Sequence, residues 1–280
     1  MASRSHDTTA ADGETAHAPA SAGGDRIAKV LARAGLCSRR EAERMIAAGR
    51  VAIDGTVLDT PARTVGANEI ITVDGQPIPR AEETRLWRYH KPPGLVTTNR
   101  DPQGRSTVFD SLPGDLPRVV TVGRLDLNSE GLLLLTNDGA LARHLEHPDT
   151  GWVRRYRVRV HGRVEPDRLG ALESGVVVEG VRYGPIKAAL ERQQGANAWL
   201  TVALREGRNR EIRHVMTHMG WPVTRLIRIG YGPFILGPLP RDSVEEVPRR
   251  QLRDNLGAGW TSGGPRRTRH GSDRDRAGGS

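Results

Sequence analysis

The chain has 280 residues, 42 basic against 33 acidic, for a formal net charge of +9. One cysteine excludes a disulfide framework and a cysteine-rich zinc site. The longest aliphatic run, Leu132 to Leu135, falls far short of the ~20 residues a membrane-spanning helix needs, and the N-terminal residues lack the apolar stretch of a secretory signal.

The expectation is a cytoplasmic protein of one or two domains. Only Lys29, Lys91 and Lys187 among the basic residues are lysines, which leaves 39 arginines. A chain this basic expects a polyanionic partner, and the forked guanidinium suits fixed phosphate contacts. With 11 aromatic residues, the core must be built mainly from Val, Leu, Ile and Ala.

Residues 1–24 are small and polar without periodicity and are expected to be disordered. Asp25 is placed to cap a helix whose Ile27, Val30, Leu31 and Ala34 share a face, ended by Gly35. Ser38-Arg39-Arg40-Glu41 has the spacing of a capping box, opening a second helix to about Ala48. Asp54-Gly55 between Val51–Ile53 and Thr56–Leu58 predicts a hairpin. Glu69–Val73 followed by Asp74-Gly75 predicts another strand and turn. Residues 25–83 therefore read as a small α+β domain. From Arg26 to Arg50 there are seven basic residues and two acidic ones. Arg39, Arg40 and Arg44 cluster at the start of the second helix, where a helix N-terminus attracts phosphate.

Ala81 to Arg85 reads as a linker, and residues 86–248 as a second, larger domain. Strands are expected at Leu86–Tyr89, Val119–Val122, Leu132–Leu135, Arg155–Val160, Trp199–Leu204 and Val223–Ile229. Tyr156, Val158 and Val160 alternate with Arg155, Arg157 and Arg159, the pattern of a half-buried strand. Arg210 to Met219 is expected to be helical, with an apolar face of Ile212, Val215, Met216 and Met219. Many strands with few intervening helices argue for an α+β fold with a mixed, mostly antiparallel sheet. Residues 249–280 are expected to form a basic, disordered tail.

No Gly-rich phosphate loop, nucleophile elbow or metal-spaced histidine cluster is present, so no metal is expected. One carboxylate among arginines stands out. Gly123-Arg124-Leu125-Asp126 leaves one strand and turns into the next. Glu206-Gly-Arg-Asn-Arg-Glu-Ile-Arg213 is a loop running into a helix. Arg213 lies beside the Ile212 stripe, where it would be partly buried and need a carboxylate partner. Taken alone, these arginines would be phosphate contacts, and Asp126 a turn former.

Residues 25–74 resemble the RNA-binding module first described in ribosomal small-subunit protein four, on Ser38-Arg-Arg-Glu-Ala and Gly49-Arg-Val-Ala-Ile-Asp-Gly. Lys91-Pro-Pro-Gly94, Asn99 to Asp110, Gly123 to Gly139, Arg155-Tyr156, Glu206 to Arg213 and Arg225 to Arg228 resemble the RsuA/RluB family of ribosomal pseudouridine synthases. The stretches at Asn99 and Glu206 are most similar to its large-subunit branch. His90 and Arg155 depart from the usual residues beside these motifs.

The resemblance implies isomerisation of uridine to pseudouridine in ribosomal RNA, that of the large subunit (23S), by a monomer without a cofactor. It implies Asp126 as the catalytic carboxylate, Arg124 as the residue that displaces the target base, Tyr156 as the active-site tyrosine and Arg213 as the partner of Asp126. Lys91, Arg208 and Arg210, with Arg39, Arg40 and Arg44, are expected to contact RNA. A carboxylate can act at a sugar centre as nucleophile or as base, and both roles stay open. The target must be flipped out of the RNA fold, and Tyr156 could stack on it. A non-catalytic, RNA-binding ribosome-assembly factor with the same two domains is the rival reading.

Overall fold

A computed structural model describes residues 24–256. The chain divides into two compact units between Ala81 and Glu82.

The first unit begins with β1 (Asp25–Arg26), α1 (Ile27–Arg33) and α2 (Arg39–Ala47). It continues through β2 (Val51–Ile53), β3 (Thr56–Val57), β4 (Thr64–Val65), β5 (Ile71–Val73) and β6 (Gln76–Pro77). Ile27, Leu31, Ala42 and Ile46 from the two helices pack on Val51, Ile53 and Ile71 of the sheet. Both expected turns form: Asp54-Gly55 and Asp74-Gly75 take positive φ at both central residues, which lets the strands keep their twist through a two-residue turn.

Two local expectations fail. Asp25 does not cap α1, because it pairs as a strand with Val65 and its carboxylate accepts from Lys29 Nζ at 2.7 Å. Only half of the capping box forms. Ser38 Oγ accepts from the Glu41 amide at 3.1 Å, while the Glu41 carboxylate turns to Arg44 instead of back to the Ser38 amide.

The second unit starts with β7 (Leu86–Lys91), β8 (Val120–Val122), β9 (Ser129–Thr136) and α3 (Gly139–Glu146). Next come β10 (Arg154–His161), α4 (Pro166–Gly170), β11 (Val176–Val178) and β12 (Val181–Tyr183). The remainder is β13 (Ile186–Gln194), β14 (Asn197–Leu204), α5 (Glu211–His218), β15 (Val223–Tyr231), β16 (Phe234–Ile235), β17 (Val244–Glu246) and α6 (Arg249–Leu256).

One large sheet runs β13-β14-β10-β15-β9-β7-β17, with β16 added to β15 and β8 to β9. Every pairing is antiparallel except β9 with β15. The expected α+β class with a mixed, mostly antiparallel sheet is what forms. The parallel pair depends on Gly131, whose φ is 104° and where a Cβ would sit 2.3 Å from the Arg228 carbonyl oxygen. That close approach ties the start of β9 to Arg228.

The sheet packs on both faces. Tyr156, Val158 and Val160 of β10, with Leu200 and Val202 of β14, meet Ile212, Val215 and Met216 of α5 on one side. Leu132 and Leu134 of β9 meet Leu141 and Leu145 of α3 and Leu252 of α6 on the other. The expected tail from residue 249 therefore begins as a docked helix. Leu252 is the reason: it buries a side chain that composition alone reads as part of a polar run. The expected disorder over 1–23 and 257–280 lies outside the described residues.

Candidate active site

Asp126 lies in the short connection from β8 to β9. That pairing is antiparallel, with Val122 opposite Leu134. Five consecutive carbonyls, four in the connection and that of Ser129 at the start of β9, are fixed by residues outside them. Thr97 Oγ1 donates to Leu125 O at 2.8 Å, and Lys91 Nζ donates to Asp126 O at 3.2 Å. The Gly94 amide donates to Leu127 O at 2.8 Å. Arg213 Nη2 donates to Asn128 O at 3.1 Å, and Lys91 Nζ to Ser129 O at 2.9 Å. A loop normally leaves such carbonyls to water. Here they are satisfied by protein, so the Asp126 backbone has little freedom left.

The Asp126 side chain is 28 % exposed. Its Oδ2 lies 3.8 Å from Arg210 Nη1 and 3.9 Å from Arg213 Nε. Both are ion pairs longer than hydrogen bonds. Among the described residues nothing donates to the carboxylate at bonding distance, so its lone pairs face the cavity unspent. Arg213 is the buried partner, with its side chain 13 % exposed. Nη1 donates to Val223 O at 3.3 Å, while the buried Nε has no hydrogen-bond partner among the described residues. Burial lowers the Arg213 pKa, the neighbouring Arg210 charge adds to the effect and Asp126 opposes it. Arg210 caps α5 with φ 51°, a left-handed conformation that costs a residue with a Cβ roughly 1–2 kcal/mol.

A cavity of about 130 Å³ opens beside the carboxylate. Tyr156, 9 % exposed, lines it with Leu204, Ile212 and Leu226. These are one flat ring and three aliphatic side chains, a wall suited to a planar apolar face. Arg124 is exposed on the same loop as Asp126. Beyond the cavity runs a wider groove lined by Arg100, Arg105, Arg124, Arg154, Arg208 and Arg210. Asp101 is tied to Arg105 by paired bonds at 2.8 and 3.0 Å, which holds its carboxyl down at about 2.

The structure brings Asp126, Arg124, Tyr156, Arg208, Arg210 and Arg213 to one place. Arg39, Arg40 and Arg44 stand exposed on α2 of the first unit, with Arg44 paired to Glu41.

Lys91 requires a correction. Its expected contact with RNA is ruled out by complete burial, 0 % exposed. Its ammonium donates to Pro92 O at 3.0 Å and to the Asp126 and Ser129 carbonyls described above. Burial pushes it down to about 8 against the opposing pull of Asp126 and Glu130. Lys91 therefore supports the loop from beneath.

Several residues escaped the sequence reading. Arg228 is buried under the same loop, with Nε donating to Leu132 O at 2.7 Å. Arg154 donates to Tyr231 Oη at 3.0 Å, and the Arg154 and Arg228 guanidiniums stand 4.9 and 5.3 Å from the Tyr231 ring. Glu211 is only 4 % exposed and lines the cavity; its Oε2 accepts from the Arg208 amide at 3.1 Å, and its Oε1 has no partner among the described residues. Burial pushes this carboxyl up to about 7. Glu211 and Arg228 stand inside the stretches at Glu206–Arg213 and Arg225–Arg228, so their neighbourhood was visible although their burial was not.

The sequence pattern of the RNA pseudouridylate synthases matches residues 85–218, and that of the S4 domain matches residues 25–71. An uncharacterized RNA pseudouridine synthase of Rickettsia conorii is 44 % identical over 230 residues, covering 82 % of this chain and 99 % of its own. The ribosomal large subunit pseudouridine synthase B of Haemophilus influenzae is 44 % identical over 231 residues, or 80 % of this chain and 65 % of that longer protein. A crystal structure of a pseudouridylate synthase shares the fold with a TM-score of 0.58 at 23 % identity, over 83 % of this chain and 99 % of that one. Two domains matched in the same order, and a relative aligned over almost its whole length, establish that this chain belongs to the RNA pseudouridine synthase family.

Proposed function

We propose that this protein converts uridine to pseudouridine in large-subunit ribosomal RNA in the cytoplasm, with Asp126 as its catalytic carboxylate. The observation that carries the reading is a carboxylate to which nothing among the described residues donates, held by five fixed carbonyls at a cavity lined by an aromatic ring. A protein that only bound RNA would have no use for a rigid acid whose lone pairs are kept free.

The reaction breaks the bond from the ribose anomeric carbon to N1 of uracil, turns the base and rejoins the sugar to C5. The proton leaves C5, and N1 ends protonated, so atoms balance without any added reactant. The base must detach without escaping. Tyr156 would stack on the flipped uracil while the aliphatic walls exclude water. Asp126 acts on the sugar or the base as nucleophile, or removes a sugar proton as base. Arg213 and Arg210 orient it. Arg124 takes the place of the flipped base or holds its phosphate. The arginine groove, with Arg208, would receive the flanking strand, and Arg39, Arg40 and Arg44 would add backbone contacts. The similarity to the Haemophilus large-subunit enzyme supports this choice of RNA. The active species in this reading is a monomer.

The test is to compare pseudouridine maps of ribosomal RNA from cells with and without this protein. One or a few positions lost from large-subunit RNA is the expected outcome. Identical maps would defeat the proposal.

A further inference from the structure

The large sheet is covered unevenly. On the face away from Tyr156, α3 and α6 pack over Leu132 and Leu134 of β9. Among the described residues no helix packs on that face over β13, β14 and β10, where Lys187, Arg192, Thr201, Arg157 and Arg159 are exposed.

Strand register sets the side chains of this bare half in rows. Arg192 lies opposite Trp199, Trp199 opposite Arg159 and Arg159 opposite Arg225, a single row across four neighbouring strands. At ~4.7–4.9 Å between strands, the row is roughly 14 Å wide. The next row along β10 contributes Arg157, and the one after it places Lys187 beyond Ala203 from Arg155. Two carboxylates answer these six cations. Glu191 accepts from Arg157 Nε at 2.8 Å, and Glu130 holds Arg225. Among the described residues no carboxylate pairs with Arg159, Arg192 or Lys187.

Trp199 organises the centre of the patch. Its ring has the Arg157 guanidinium 4.6 Å away and that of Arg225 5.9 Å away. Like charges set directly opposite on paired strands repel, and Arg159 against Arg225 is such a pair. An ordinary solvated sheet face alternates its charge signs. This one concentrates one sign, with an aromatic ring fixing two of the guanidiniums.

Resting on the assignment of a ribosomal RNA substrate, we propose that this bare half-sheet is a second RNA-docking surface. It binds the phosphodiester backbone of the substrate RNA outside the helix that carries the target uridine. The catalytic cleft, on the Tyr156 side, takes the target itself. Complementary charge selects the occupant: cations set out in rows by strand register fit closely spaced phosphates.

The test neutralises the three unpaired cations together, as Arg159→Gln, Arg192→Gln and Lys187→Gln in the full chain. Binding and single-turnover pseudouridine formation are measured on a large-subunit RNA transcript and on a short stem-loop holding the target uridine. On the transcript, affinity should fall, and the slope of log K against log salt should flatten by roughly two to three, at ~0.7–0.9 per lost contact. On the stem-loop, rate and affinity should match wild type. Wild-type affinity and slope on the transcript would overturn the proposal, as would an equal loss on both RNAs. A lowered melting midpoint would move the comparison to the single variants, each with a slope change of about one or less. Wild-type turnover on the transcript reports separately on the catalytic reading, because its absence would sink that reading and leave the binding comparison standing.

Discussion

Lys91→Met removes the ammonium beneath the Asp126 loop and keeps a side chain of similar length. Three carbonyls lie within 3.2 Å of Lys91 Nζ, those of Pro92, Asp126 and Ser129. A hydrogen bond from a charged donor contributes about 1.5–3 kcal/mol, so the three together stabilise by roughly 5–9 kcal/mol. The buried cation opposes this. A pKa lowered from 10.5 to about 8 corresponds to a penalty of order 3 kcal/mol while the lysine is charged, at ~1.36 kcal/mol per pKa unit. The net loss in Lys91→Met is then a few kcal/mol, read as a urea midpoint lowered by on the order of 1 M. Freed carbonyls also let the loop shift, and a displacement of ~1 Å can cost about 100-fold in rate. Single-turnover release of tritium from C5 of labelled uridine should therefore slow sharply, while the salt dependence of RNA binding stays at the wild-type slope. The reasoning fails if Lys91→Met unfolds and reacts like wild type while its salt slope drops by about one, since that is the signature of an exposed phosphate contact.

Tyr156→Phe separates stacking from proton transfer: if the ring only stacks, tritium release stays near wild type, whereas a role for the hydroxyl at C5 makes it fall steeply with uridine still bound. Replacing Arg39, Arg40 and Arg44 with Ala should weaken RNA binding and flatten its log–log salt slope by at most roughly three; an unchanged slope would remove the first unit from the RNA contact. Glu211 has its carboxyl raised from 4.5 to about 7, so the fold favours the neutral form. Its contribution is complete below about pH 4.5 and is lost as pH rises to about 7, at a total of order 3 kcal/mol as an upper bound. Glu211→Gln should thus gain stability over wild type between pH 5 and pH 8 in urea melts, and parallel pH profiles would show that the carboxyl ionises without cost.

The elements that alternate or carry turn chemistry were legible. Tyr156-Arg-Val-Arg-Val160 is a strand with its apolar side inward, and Asp54-Gly55 is a hairpin turn because those residues tolerate positive φ. Strand β13 was missed because its Lys187, Glu191 and Arg192 lie on the bare face and a bulge at Glu191 breaks the alternation. Helix α6 was missed because only Leu252 and Leu256, in an otherwise polar run, carry its docking. At the site, Asp126 and Arg213 stood out as a carboxylate and an arginine in separate motifs, yet the distance between them is set by α5 and the β8–β9 connection. Lys91 was misplaced for a physical reason: lysine is rarely buried, and only a cage of carbonyls contributed by distant segments makes its burial tolerable. A one-dimensional pattern shows the ammonium but not the Pro92, Asp126 and Ser129 carbonyls that receive it.

The most direct test of the central claim is single-turnover tritium release by Asp126→Asn on labelled ribosomal RNA. Asn keeps the shape and the fixed backbone but can act neither as nucleophile nor as base. The account predicts that release is abolished while RNA affinity stays within a few-fold of wild type. Release at the wild-type rate would contradict it and leave the protein as an RNA-binding assembly factor.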